Sequence, residues 1–166
     1  RQRQMCIRDS CRIDREETPS KYALPQSWID ETLPSLIEHA DAVIVSDYAK
    51  GIVTPDSIKH IQRLAGPDKL VSLDPKPRNG LAFRELSLIT PNRIEALQLA
   101  GMQSISPSDP FPAEEACRIL HNLYATKLLV ITLGADGMLL SRDGKPLCQI
   151  PTAARDVFDV SGAGDT

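Results

Sequence analysis

An α/β fold, a mostly parallel sheet with helices on both faces, is predicted by three observations along the 166 residues. Short apolar runs suited to buried strands alternate with segments whose apolar residues recur at helical spacing. The connections between them are short, which favours right-handed crossovers between parallel strands. Polar residues gather at the carboxyl ends of the strand segments, where open parallel sheets bind their ligands. The length fits one domain with one core.

Taken in order, Pro25 to Ala40 carries Trp28, Ile29, Leu33, Leu36 and Ile37 at helical spacing, with Pro34 placed to kink the helix or start a second one. Ala42 to Val45 reads as a buried strand ending at Ser46-Asp47-Tyr48. Thr54 is an N-cap and Pro55 the first residue of a helix whose inner stripe is Ile58, Ile61 and Leu64, closed by Gly66-Pro67. Lys69 to Leu73 and Leu86 to Ile89 are the next strands, ending at Asp74-Pro75-Lys76 and Thr90-Pro91-Asn92. A helix follows with Ile94, Leu97 and Leu99 inward and Gly101 at its C-terminal end. After the Ser- and Pro-rich connection of residues 103–112 comes a helix from Pro112 to Thr126, with Ala116, Ile119, Leu120 and Leu123 on one face. Leu128 to Thr132 is a fourth strand, and Met138 to Ser141 and Leu147 to Ile150 pair around Arg142-Asp143-Gly144.

Composition excludes several classes. Apolar residues make up 42% and charged residues 25%, with a net charge of −3, so no broad basic field exists for nucleic acid or anionic lipid. A phosphate site must therefore be local. The longest strongly apolar run, Leu128 to Leu133, is far too short to span a bilayer, and no signal peptide is evident near the start. Cys6, Cys11, Cys117 and Cys148 form no CxxC pair and only three histidines accompany them, which points to reduced, packed thiols and a cytoplasmic setting. Residues 1–10 are polar and aperiodic and read as a non-native or assembly-derived leader; residues 11–166 read as a partial domain truncated at both ends.

The residues able to do chemistry are few. Gly162, Ala163 and Gly164 let backbone N–H groups converge on an anion, and Asp165 stands beside them where it could accept a proton. Asn92 and Glu95 sit one turn apart at a helix start, as a cap with a first-turn acid or as hard oxygen donors for magnesium through water. Thr132, Gly134 and Gly137 form a strand-to-turn loop, and Lys76 puts a cation at a strand end. Each pattern alone has an ordinary structural reading, a tight turn, a capped helix start or a surface lysine.

The string Asp159-Val-Ser-Gly-Ala-Gly-Asp165-Thr resembles the second signature of the PfkB/ribokinase family, and Thr90-Pro-Asn92-Arg-Ile-Glu95 resembles its Asn-x-x-Glu motif. Thr132-Leu-Gly134-Ala-Asp-Gly137 resembles its Thr-x-Gly-x-x-Gly loop. The resemblance implies the C-terminal part of a ribokinase-like kinase domain using ATP and magnesium, with Asp165 as base and the Gly162 to Gly164 amides as anion hole. It further implies nucleotide-facing roles for Lys76, Asn92, Glu95, Thr132, Gly134 and Gly137, magnesium organised by Asn92 and Glu95, and a monovalent cation such as K⁺ near Asp159. Arg12 to Glu17, Val45 to Gly51, Asp74 to Lys76, Thr90 to Asn92 and Val157 to Gly162 resemble the branch that phosphorylates D-glycero-β-D-manno-heptose 7-phosphate to the 1,7-bisphosphate, towards ADP-heptose and lipopolysaccharide. Tyr48-Ala49-Lys50-Gly51 and Pro77-Arg78-Asn79 depart from the commoner wording of that branch, which leaves substrate choice open. The alternatives are a ribokinase, fructokinase or phosphofructokinase relative, or a non-catalytic nucleotide-binding remnant. The expected partner is a sugar phosphate, not nucleic acid or membrane, and a homodimer is one assembly the family allows. The chain alone is expected to be inactive.

Overall fold

A computed structural model describes residues 22–77, 83–106 and 109–152. The leader of residues 1–10 and the signature from Asp159 to Asp165 lie outside the described residues. Among the described residues, six strands form one sheet in sequential order: β1 (Ala42–Ser46), β2 (Leu70–Asp74), β3 (Leu88–Ile89), β4 (Leu128–Thr132), β5 (Met138–Arg142) and β6 (Lys145–Ile150). β1 to β4 are parallel, and β5 and β6 add antiparallel strands at one edge. The β5–β6 hairpin turns through Asp143 and Gly144, both at positive φ, the backbone that matches the twist of the flanking strands.

Within the described residues four α-helices accompany the sheet: α1 (Leu33–His39), α2 (Pro55–Ala65), α3 (Arg93–Leu99) and α4 (Ala113–Tyr124). A π-helical stretch, Trp28–Thr32, leads into α1. Pro34 accounts for its position: with no N–H, and with a ring that clashes with the carbonyl four residues back, proline disrupts a regular turn. The widened turn absorbs it, and the Leu33 N–H bonds the Trp28 carbonyl instead. The α1 carbonyls of Ile37 and Glu38 accept from Lys69 Nζ, a cation at the negative end of a helix. α2 starts at a reciprocal capping box between Thr54 and Ser57 with Pro55 at its first position. α3 ends in a Schellman arrangement, Gly101 at φ 72° with the Met102 N–H bonded to the Leu97 carbonyl and the Gly101 N–H to that of Gln98.

Sequential parallel strands joined by right-handed crossovers carry their connecting helices on a single face. Burial follows that logic. On one face Val71, Leu73, Ile89, Leu129, Ile131 and Leu139 are buried and pack with Ile37, Ile58, Ala96, Cys117 and Leu120 from the helices. The strand residues between them point the other way, and there Ile44 is 76% exposed and Leu70 and Met138 about 40%. Among the described residues, helices therefore cover one side of the sheet, where the alternation predicted helices on both faces.

Several expectations at the level of single residues are corrected. β1 is not a buried strand: it is the edge of the described sheet, and Ala42, Ile44 and Ser46 are exposed. Ile94 is exposed, not inward: the buried stripe of α3 is Ala96, Leu97 and Ala100, and Ile94 lies beyond its edge in the first turn. Leu123 is likewise half exposed, and Cys117 takes the inner position on α4 beside Ala116 and Leu120. β3 is only Leu88–Ile89, with Leu86 buried just before it. Of the cysteines described, Cys117 and Cys148 are both free thiols.

Candidate active site

The described site lies at the carboxyl ends of β1 to β4. Strand pairing puts Ser46 beside Asp74, and the Asp47 N–H donates to the Asp74 carbonyl at 3.1 Å, so the first two strand ends are locked together. Beyond β3, Asn92 forms a parallel bridge to Thr132, and the Thr132 N–H donates to the Pro91 carbonyl at 3.1 Å. Pro75 and Pro91 are fully buried directly after β2 and β3, so each chain leaves the sheet along a fixed path. The result brings Asp47, Lys76, Asn92, Glu95 and Thr132 to one end of the sheet.

Glu95 is the centre of this arrangement. It is buried, 7% exposed, yet all its ionic character is answered. One carboxylate oxygen, Oε2, accepts the Asn92 N–H at 2.8 Å, while Asn92 Oδ1 accepts the Glu95 N–H at 2.9 Å, a reciprocal capping box at the start of α3. The other, Oε1, accepts from Lys76 Nζ at 2.6 Å. A buried carboxylate with a cation on one oxygen and a backbone N–H on the other is fixed in direction and in charge. The same bond, reinforced by the charges of Glu95, Asp74 and Tyr48, holds the Lys76 ammonium protonated above the usual lysine range.

Two carboxylates absent from the predicted site set stand beside this pair. Asp47 is buried at the end of β1, and its Oδ1 accepts the Ala49 N–H at 2.8 Å, an Asx turn that carries Ala49 into the left-handed region at φ 57°. Asp74 sits at the end of β2, and burial, assisted by the charges of Glu95 and Asp47, pushes its carboxyl above the usual aspartate range against the pull of Lys76. Their signal in the sequence was their place at the ends of adjacent apolar runs, which register alone turns into proximity.

The loop after β4 is a single 3₁₀ turn, Gly134–Asp136, closed by the Gly137 N–H on the Gly134 carbonyl and the Leu133 N–H on that of Gly137. Gly137 has a packing reason to be glycine: a Cβ there would lie 2.0 Å from the Ile150 carbonyl oxygen. Gly134 faces open space, so a ligand could approach its backbone. Asp159, Gly162, Ala163, Gly164 and Asp165 are outside the described residues, so their relation to this site rests on sequence.

A metal was expected at Asn92 and Glu95. Among the described residues no group of three or more His, Cys, Asp and Glu side chains is arranged to hold one. The donors present suit magnesium bound largely through water: one carboxylate and one amide oxygen, both hard, with the Glu95 oxygen Oε1 answered by a cation already. The chemistry such an arrangement supports is anion binding and charge stabilisation at the strand ends.

Comparison with known proteins places this geometry. Residues 20–166 match the model of the pfkB family of carbohydrate kinases, and the chain belongs to that family. Within it, the chain is 34% identical over 154 residues to the bifunctional protein HldE of Marinomonas sp. strain MWYL1, covering 92% of this chain and 30% of that protein. The chain thus spans about a third of the length of the curated relatives it matches. Its fold is that of the ribokinases. The Giardia lamblia ribokinase superposes with a TM-score of 0.64 at 22% identity, over 86% of this chain and 44% of the other. The Arabidopsis thaliana ribokinase, solved with ribose and ATP, superposes with a TM-score of 0.56 at 22% identity over the same shares. Among the described residues no helix is long and apolar enough to cross a membrane.

Proposed function

We propose that this chain supplies the nucleotide side and the catalytic base of an ATP-dependent kinase acting on D-glycero-β-D-manno-heptose 7-phosphate. The product is the 1,7-bisphosphate, on the route to ADP-heptose and lipopolysaccharide, made in the cytoplasm. One observation carries the reading: the Lys76–Glu95–Asn92 assembly is joined to Thr132 at the strand ends, in a pfkB-family chain about a third identical to HldE proteins. The ordinary reading of the Asn-x-x-Glu pattern, a capped helix start, holds here too; the added lysine and the neighbouring strand end give it a second use.

In this reading Asp165 takes the proton of the sugar hydroxyl as its oxygen attacks the γ-phosphorus of ATP. The bond from that phosphorus to the bridging oxygen breaks and ADP leaves. The Gly162, Ala163 and Gly164 amides receive the charge on the transferred group, and Lys76, Thr132, Gly134 and Gly137 line the nucleotide phosphates. Glu95 and Asn92 would hold magnesium through water, and the ion when bound would offset phosphate charge. Asp159 belongs near a K⁺ site, and the working assembly is a homodimer with a sugar-phosphate substrate.

A substrate panel on the polypeptide of the relatives' full length tests this. kcat/KM should be highest for the heptose 7-phosphate, and about 10²-fold or more above ribose and fructose, because a site built to bind a phosphate leaves its cations unpaired with a neutral sugar. A preference for an unphosphorylated pentose or hexose would reject the heptose assignment and leave the family membership standing.

A further inference from the structure

The bond between Lys76 and Glu95 implies more than a static pair. Lys76 lies two residues past the end of β2, in extended chain, and its side chain is about a third exposed, whereas Glu95 is held on α3 by its capping box and is nearly buried. One partner is fixed and the other is on a flexible four-carbon stem open to solvent. Glu95 Oε2 is committed to the Asn92 N–H, which leaves Oε1 as the one oxygen able to exchange partners. The Lys76 ammonium occupies it. A strand-end site that takes an anionic nucleotide with a divalent cation needs both positive charges, but Oε1 cannot serve both at 2.6 Å.

We propose that Lys76 is an exchangeable counter-ion: it holds Glu95 Oε1 in the free site, and uptake of a divalent cation there releases its ammonium to the nucleotide phosphates. The idea rests on the nucleotide-binding reading above but not on the identity of the sugar. Lys76 is then a positioning residue in the free site and a phosphate contact in the loaded one. Burial of Glu95 makes the exchange obligatory, because a buried carboxylate left without a cation is strongly unfavourable.

The exchange predicts a linkage that a fixed pair does not. In the full-length protein, nucleotide-free Mn²⁺ affinity read by electron paramagnetic resonance of the free ion should tighten about 3- to 10-fold in Lys76→Met and Lys76→Gln, since a competing charge is gone. Lys76→Arg should restore wild-type affinity within about twofold, and Glu95→Gln should abolish the Mn²⁺ site. A non-hydrolysable ATP analogue should bind about tenfold more weakly to Lys76→Met than to wild type when Mn²⁺ is saturating, and equally to both without divalent cation. Using two neutral variants and an arginine guards against a single substitution that fails to fold. Unchanged or weaker Mn²⁺ binding in both neutral variants would overturn the proposal, as would a loss of analogue affinity that is the same with and without Mn²⁺. None of these readings needs phosphoryl transfer, so a failed sugar panel and a failed exchange are told apart.

Discussion

Asp74 illustrates how a single residue records its surroundings. It pairs with Ser46 across the β1–β2 ladder, and burial raises its proton affinity in the fold. A carboxyl whose folded pKa exceeds its unfolded value, about 3.9 for aspartate, binds more protons in the native state, so stability falls as pH climbs through that raised value. Asp74→Asn should therefore raise Tm at pH 7, and by much less at pH 4, where the native carboxyl is already protonated. Equal gains at the two pH values would refute this account of Asp74. The residue scale was partly legible in the sequence. Asn92 and Glu95 could be paired from their spacing, because a helix start dictates who meets whom across three residues. The bond from Lys76 to Glu95 crosses from β2 to α3, a distance that only the parallel register brings down, and Asp47 and Asp74 were missed as a pair for the same reason.

At the scale of elements, caps and turns were readable and facing was less so. Thr54 with Pro55, and Gly101 after Leu99, were found because capping chemistry is local. Ile94 and Leu123 were assigned inward because they are apolar at roughly helical spacing, yet α3 and α4 bury small residues, Ala96 and Ala116 with Cys117, where the helices approach closely. The end of α4 carries a local cost: Ala125 caps it in the left-handed region at φ 51°, with its N–H on the His121 carbonyl at 2.7 Å. A non-glycine residue there is strained, so Ala125→Gly should stabilise the fold by roughly 0.5–1 kcal/mol despite the extra freedom of the unfolded chain. An increase in the urea midpoint with an unchanged m-value is the expected reading; a decrease would mean that the cap is not strained.

For the whole molecule, alternation of strands and helices was enough to foresee a parallel sheet, and the Arg142-Asp143-Gly144 turn a hairpin after it, but not that β1 to β4 run in sequential order with that hairpin continuing the same sheet. That order leaves Ile44, Leu70 and Met138 on a face the described helices do not cover. The 166-residue polypeptide by itself should bind a hydrophobic dye, and Ile44→Lys should lower that signal without lowering Tm, because an exposed apolar side chain contributes little to the core. Dye binding unaffected by Ile44→Lys would place the apolar surface elsewhere. The candidate site is assembled at one end of this sheet from residues 47 to 132, while the base assigned from the signature, Asp165, follows it in the chain. The central claim joins the two, and its most direct test is phosphoryl transfer from ATP to the heptose 7-phosphate in the full-length protein with and without Asp165→Asn. Loss of a positioned base should lower kcat by about 10²–10⁴-fold while ATP affinity changes little. A variant with near-normal kcat would remove Asp165 from the chemistry and contradict the mechanism.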